Sequence, residues 1–201
     1  MKNNILFFDT ETDGLPQAWN LDFNHVDNWP VPVSLGWIVT DNTGNVQKER
    51  YEILKRTDVK ESDWSLDAQQ THGISWKQNQ TDGISLLKVY AEFISDLSLC
   101  EKFVCHNTQF DLNIIRADLI RVYENPIWPD GLSSDCTMLS STDYCELPNR
   151  NNRMPGYKWP KLEELYFILF GKKMEGAHHA LNDVRAAKDC FFELQKRKVI
   201  C

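Results

Sequence analysis

Apolar residues run almost unbroken through "NILFFDT" at residues 4–10, the length of a strand and the pattern of one buried on both faces of a sheet. "VSLGWIVTD" and "VQKERYEIL" follow, joined by an Asn/Gly turn, and predict an antiparallel hairpin. The period then lengthens. "SDWSLDAQQTHGI" predicts a short helix ended near Gly73, and Ile84, Leu87, Tyr90, Ala91, Ile94 and Leu97 fall on one stripe of a longer one. "KFVCH" reads as a short strand, with Asn107 as a cap for the helix "TQFDLNIIRADLIRVYE". A last short strand is expected in "LSSDCTM", and residues 143–160, rich in Pro, Asn and Arg, read as a surface loop. Two helices close the chain, "KLEELYFILF" ended by Gly171 and one from about Leu181 to Arg197. Strands first, then helices alternating with strands, predict an α/β domain: a mixed sheet with helices on both faces.

Composition narrows the class. With 201 residues, 42% hydrophobic and 25% charged, the chain fits one globular domain, residues 1–201, with no internal repeat or linker to divide it. No apolar run nears the roughly 20 residues that span a bilayer, and "MKNNILFFDTETDG" meets acidic residues too early for a signal peptide. A soluble, cytoplasmic protein with no membrane partner is expected. Its six cysteines, Cys100, Cys105, Cys136, Cys145, Cys190 and Cys201, contain no C-x-x-C pair and read as reduced thiols. The net charge of −7 argues against coating nucleic acid through a broad basic face. Its distribution is uneven: residues 151–201 carry a net +4 and residues 1–150 a net −11.

The chemistry is carried by acids at element ends. Asp9 and Glu11, two apart in "FFDTET", project to one side at the end of the first strand. They are either a solvated strand end or a pair of oxygen ligands for a hard cation such as Mg²⁺. Asp111, near the start of its helix, and Asp183, early in the last one, can each be a first-turn acid that favours the helix dipole. Together the four acids can converge on one place. Converging carboxylates repel unless cations lie among them, so the set implies divalent metal, and a metal site of this kind suits a phosphodiester. "AHHALNDV" adds two adjacent histidines, of which a lone member is ordinarily a surface or capping residue.

"FFDTET", "HNTQFD" and "HHALNDV", in this order, resemble the three motifs of the DEDDh 3′→5′ exonucleases, the DnaQ-like family that includes the proofreading epsilon subunits of bacterial replicases. The family's D-x-E falls on Asp9 and Glu11, its N-x-x-F-D on Asn107, Phe110 and Asp111, and its H-x-A-x-x-D on His178, Ala180 and Asp183. "THGI" at 71–74 and "KWPKLEELYFILFG" at 158–171 extend the resemblance over most of the chain. It implies an RNase H-like fold with a central five-stranded mixed sheet whose first three strands are antiparallel. It also implies two Mg²⁺ or Mn²⁺ ions held by Asp9, Glu11, Asp111 and Asp183, with Asp9 bridging both, and His178 as the general base. Thr10, Thr12, Gly14 and Leu15 are expected to hold the terminal nucleotide, with Leu15 wedged against its base and with His72, Asn107 and Phe110 as further contacts. For His72 the alternative is a helix-terminal histidine meeting the dipole.

The expected activity is release of nucleoside 5′-monophosphates from a 3′ end, single-stranded or frayed DNA first, with a polymerase or another replication or repair protein as partner. Trimming of RNA or short oligonucleotides is the nearest alternative, because the choice of sugar rests on contacts to the 2′-OH. A non-catalytic polymerase-docking module and a zinc site of His178, His179 and Cys190 are remoter ones. Arg150, Arg153, Lys158 and Lys161 are candidates to track a phosphate backbone, with Tyr157 or Trp159 stacking on a base; the favoured place for Trp159 is against the following helix. The aromatic-rich stretch at 16–32 is long for its connection and is either a substrate-side flap or an insertion.

Overall fold

The computed structural model describes residues 3–123, 127–149 and 156–200. β1 (Asn4–Thr12), β2 (Pro32–Asp41) and β3 (Val46–Lys55) form an antiparallel meander, and β5 (Lys102–Cys105) and β6 (Ser133–Cys136) extend it in parallel beside β1. A two-residue strand, β4 (Ile84–Ser85), pairs in parallel with the far edge of β3, giving the order β4-β3-β2-β1-β5-β6. The expected five-stranded sheet therefore has a sixth, very short strand. Ile84, which the helical stripe included, lies in that strand, and α3 begins at Leu86 (Leu86–Ser98).

Alternation along β1 sorts the two cores. Leu6 and Phe8 face a cluster with Val89, Tyr90, Phe93 and Leu97 of α3 and with Ile115 and Leu119 of α4 (Thr108–Val122). Ile5 and Phe7 face Leu165 and Leu169 of α6 (Leu162–Phe170) and Val184, Cys190, Phe191 and Leu194 of α7 (Ala180–Lys196). Odd-numbered residues of β1 thus point toward α7, which puts Asp9 and Glu11 under that helix. Even-numbered Thr10 points toward α4.

α1 (Leu66–His72) starts at Ser65, whose hydroxyl accepts from Ala68 N–H, and stops at Gly73, with a φ of 77° that favours glycine. α2 (Trp76–Asp82) and α5 (Thr137–Cys145) had no periodic signal of useful length. Only the last three residues of α5, 143–145, fall in the stretch expected to be a loop. Asn79 of α2 is buried at the end of β3, where its amide accepts from Arg56 N–H and donates to Leu54 C=O. Arg56 itself is fully buried, bonded to Asp118 of α4 at 2.6 and 3.0 Å and to Asp58 at 2.6 and 3.0 Å. Tyr90 donates to the same Asp118, so β3, α3 and α4 meet on one carboxylate. No helix among the described residues is long and apolar enough to cross a membrane.

Asn107 takes the expected N-cap position of α4, in the left-handed region at φ 73°, but its side chain makes no capping bond. Trp159 is 58% exposed rather than packed on α6. The next residue, Pro160, is buried, and its carbonyl accepts from His106 Nε2–H at 3.0 Å. Arg150 and Arg153 lie outside the described residues, and Lys158 pairs with Glu164 at 2.5 Å.

Candidate active site

β1 runs past its parallel neighbour. β5 pairs with it only from Ile5 to Phe7, so Asp9 to Thr12 project beyond the parallel half of the sheet. On that side the Thr10 N–H and hydroxyl both donate to Asp111 Oδ1, at 3.0 and 2.8 Å. This ties the first turn of α4 to the strand and buries Asp111. On the other side α7 descends onto β2. Gly36, the partner of Asp9 in the β1–β2 ladder, lies so close that a Cβ there would be 2.8 Å from Ala180 C and Leu181 N. That contact lets the first turn of α7 bring Asp183 over Asp9 and Glu11.

One oxygen from each of Asp9, Glu11 and Asp183 lies within 4.8 Å of the others. Asp111 stands outside this group of three but close enough to raise the Asp9 pKa by repulsion. Burial, then the neighbouring carboxylates, pushes Asp9 well above its ordinary range and Glu11 up to about 8. Burial likewise raises Asp111 to about 7, against the two Thr10 hydrogen bonds, and Asp183 to about 6, against the His178 N–H. Asp183 Oδ1 is buried with no hydrogen-bond partner. Four acids disfavouring their own charge, with an orphaned carboxylate oxygen among them, fit a hard divalent cation, because oxygen-only donors suit such an ion and its charge offsets the repulsion.

The two histidines separate. His178 is exposed, in the left-handed region with φ 63°, and its backbone N–H donates to Asp183 Oδ2 at 3.1 Å. His179 stacks on Tyr51, ring centroids 4.3 Å apart, and serves as the N-cap residue of α7. Cys190 lies in the core, and among the described residues no histidine–cysteine group could hold a metal, so the zinc alternative has no site.

Beside the acids opens a cleft of about 520 Å³ lined by Thr10, Glu11, Thr12, Gly14, Leu15, His72 and Phe110. Six of the seven residues expected to contact a nucleotide are in it; Asn107 is not. Ser65, Asp67 and Ala68 form a further wall that motif reading missed, since nothing in their spacing marks them, together with Thr71, which lies in the THGI segment but is not among its expected contacts. The THGI signal placed only His72 there. His72 Nδ1 accepts from Ile74 N–H at 3.0 Å, so the neutral ring carries its proton on Nε2, which is buried without a partner. Burial lowers its pKa to about 4. Leu15 is 73% exposed, and Thr12 Oγ1 donates to Gly14 C=O at 2.7 Å to hold the turn beneath it.

A mixed sheet with helices on both faces, and four acids from β1, α4 and α7 gathered at the open end of the first strand, fit the nuclease class of hydrolases. The RNase_T family model, described as "Exonuclease", matches residues 6–191. The chain belongs to this exonuclease family, and the five motif residues Asp9, Glu11, Asp111, His178 and Asp183 make it a DEDDh-type member. No curated protein matches it by sequence. Among solved structures it is similar to E. coli exonuclease I in complex with a dA16 oligonucleotide, with TM-score 0.73 and 20% identity over 98% of this chain and 41% of that one. It is also similar to a moderately thermophilic exonuclease I from Methylocaldum szegediense, with TM-score 0.70 and 22% identity over 97% and 41%. A zinc-bound form of the E. coli enzyme with single-stranded DNA matches at TM-score 0.70 and 20% identity, over 98% and 41%. These likenesses are of fold, and the chain spans about 41% of the length of those proteins.

Proposed function

We propose that the protein is a metal-dependent 3′→5′ exonuclease that releases nucleoside 5′-monophosphates from unpaired DNA ends. The observation that carries this reading is the group of Asp9, Glu11 and Asp183, oxygens within 4.8 Å, joined through Glu11 to a cleft lined by Leu15 and Phe110. Asp9, Glu11, Asp183 and the oxygen of Asp111 not bonded to Thr10 would hold Mg²⁺ or Mn²⁺, two ions in our reading. Bound there, such ions supply positive charge that acidifies water and offsets the charge growing on the phosphate and on the leaving 3′ oxygen.

The chain's own residues supply position and proton transfer. Leu15 and Phe110 offer apolar surface for the terminal base, while the Thr10–Asp111 bonds keep the strand end rigid under it. His72 Nε2–H is a buried donor facing a cleft that would receive a polyanion's end, and a substrate oxygen would satisfy it. His178, exposed at the N-terminal edge of α7 and fixed to Asp183 through its backbone, accepts the proton of the attacking water. His179 is spent on Tyr51.

A degradation ladder tests all of this together. Single-stranded DNA, duplex DNA and RNA, each labelled at the 5′ or 3′ end, are incubated with Mg²⁺ or with EDTA. A ladder shortening from the 3′ end of single-stranded DNA, abolished by EDTA, is expected. Internal cuts, 5′ polarity or metal-independent turnover would overturn the reading, and faster loss of RNA would move the substrate to the exoribonuclease alternative.

A further inference from the structure

Residues 13–31, the connection between β1 and β2, hold an exposed tryptophan in a rigid frame. Trp19 is 57% exposed. Its neighbour Ala18 is nonetheless locked on both sides, for its N–H donates to Asn28 Oδ1 at 2.8 Å and its C=O accepts from Asn28 Nδ2 at 2.9 Å. Asn28 is buried, and its backbone carbonyl accepts from Gln17 N–H at 3.0 Å. The base of the loop is fixed in turn to α4: Arg121 donates to the carbonyls of Val26 and Trp29, and the buried Trp29 donates its indole N–H to Asp22 C=O at 2.9 Å. Phe23 lies under the Arg116 guanidinium at 3.6 Å. A loop with this much internal bonding holds its exposed ring in place; it does not leave it to fray.

The place is informative. The Trp19 ring meets Phe110 at a centroid separation of 5.8 Å and a tilt of 34°, and Phe110 is a wall of the nucleotide cleft. Trp19 therefore lies one ring beyond the wall of the terminal-base site, against Phe110, which Trp29 also contacts at a centroid separation of 6.4 Å. Solvent exposure of an indole costs the folded protein apolar burial, and a ring so well held and so open is suited to receive a flat partner. Every nucleobase offers one, whatever its identity, provided it is unpaired and unstacked from a complementary strand.

From this geometry we infer that Trp19 is a second base-stacking subsite, taking the unpaired base next to the 3′-terminal nucleotide, so that the loop at 13–31 selects single-stranded ends. This rests on the exonuclease reading for its substrate, and it deepens that reading by assigning length and strand selectivity to a residue outside the motifs. The chemistry needs only an aromatic face at position 19. Trp19→Phe should keep it and Trp19→Ala should remove it.

The test compares a ligand that reaches Trp19 with one that does not. Inhibition by dTMP reads the terminal site alone, and degradation of dT12 reads both. Trp19→Ala should raise KM for dT12 about 5- to 150-fold, the range for loss of one stacked base, with kcat and the inhibition constant of dTMP unchanged. Trp19→Phe should restore most of the loss. Equal effects on dTMP and dT12 would show that Trp19 acts by supporting Phe110, and no effect on either would show an idle surface ring; both overturn the subsite. Fluorescence polarisation of labelled dT12 with Ca²⁺ in place of Mg²⁺ reads the same contact without turnover. A wild-type protein that binds dT12 through Trp19 yet cuts nothing would fail the exonuclease reading while leaving the subsite standing.

Discussion

Gly36→Ala should uncouple Asp183 from the first-strand acids without touching any of them. The added Cβ would sit 2.8 Å from Ala180 C and Leu181 N and 2.9 Å from Ala180 O, all backbone atoms that no rotamer change can move aside. Carbon atoms pack best near 3.5–4.0 Å, so strand and helix must part by about 0.7 Å or more at this point. Overpacking of that kind costs about 1–3 kcal/mol, which for a chain of this size lowers Tm by about 2–12 °C. The larger effect is on the site. Asp183 lies one turn from the contact, and a misplacement approaching 1 Å can cost about 10²-fold in rate. Nucleotide release from a 5′-labelled single strand measures the rate, Mn²⁺ titration the metal affinity, and circular dichroism the melt. A Gly36→Ala protein with wild-type rate and metal affinity would refute the argument that the close approach of β2 and α7 builds the site.

Asp9→Asn and Asp183→Asn should each abolish nucleotide release while raising Tm in EDTA, since each removes a charge from a self-repelling group; retained activity in either would sink the metal scheme. His178→Ala should slow turnover about 10²–10⁴-fold, whereas a larger loss in His179→Ala would transfer the base to the neighbouring residue. Burial first, and repulsion from neighbouring carboxylates second (Glu163 in the case of Asp183), raise Asp9, Glu11 (to about 8) and Asp183 (to about 6) above their unfolded values, so the metal-free native state binds more protons than the unfolded chain between roughly pH 4 and 8. Raised carboxylates lose stability as pH rises, so Tm in EDTA should fall from pH 5 to pH 8 and recover with Mg²⁺; a flat profile would refute the crowding of the acids. Arg56→Met leaves buried Asp118 without its bidentate partner and should cost about 3–5 kcal/mol in urea unfolding; a cost near zero would mean Tyr90 and Arg121 suffice to hold that carboxylate.

Much of this was legible because it is local. The buried run of β1, the hairpin of β2 and β3, and the helix stops at Gly73 and Gly171 follow from residue types within a few positions of one another. The pairing of Asp9 with Glu11 on one face follows from the strand period alone. Elements without that local signature escaped: α2 and α5 are short, α5 running its last three residues into the stretch whose composition suggests a loop, and β4 is two residues that pair only because β3 presents an edge to them. Asn107 stands at the N-cap position of α4 as expected, but in the left-handed region and without a side-chain capping bond.

The identities and order of the acids and of His178 stand in the chain itself, and so does the family to which they belong. Tertiary packing alone decided how those residues meet. Asp111 reaches Thr10 because β5 ends early, Asp183 reaches Asp9 because Gly36 has no side chain, and His179 turns away because Tyr51 stacks on it. Each depends on atoms far apart in sequence, and the same holds for Trp19, whose meaning comes from Asn28 and Phe110. A pattern of residue types records which groups a chain owns; distances between them exist only once the layers have packed.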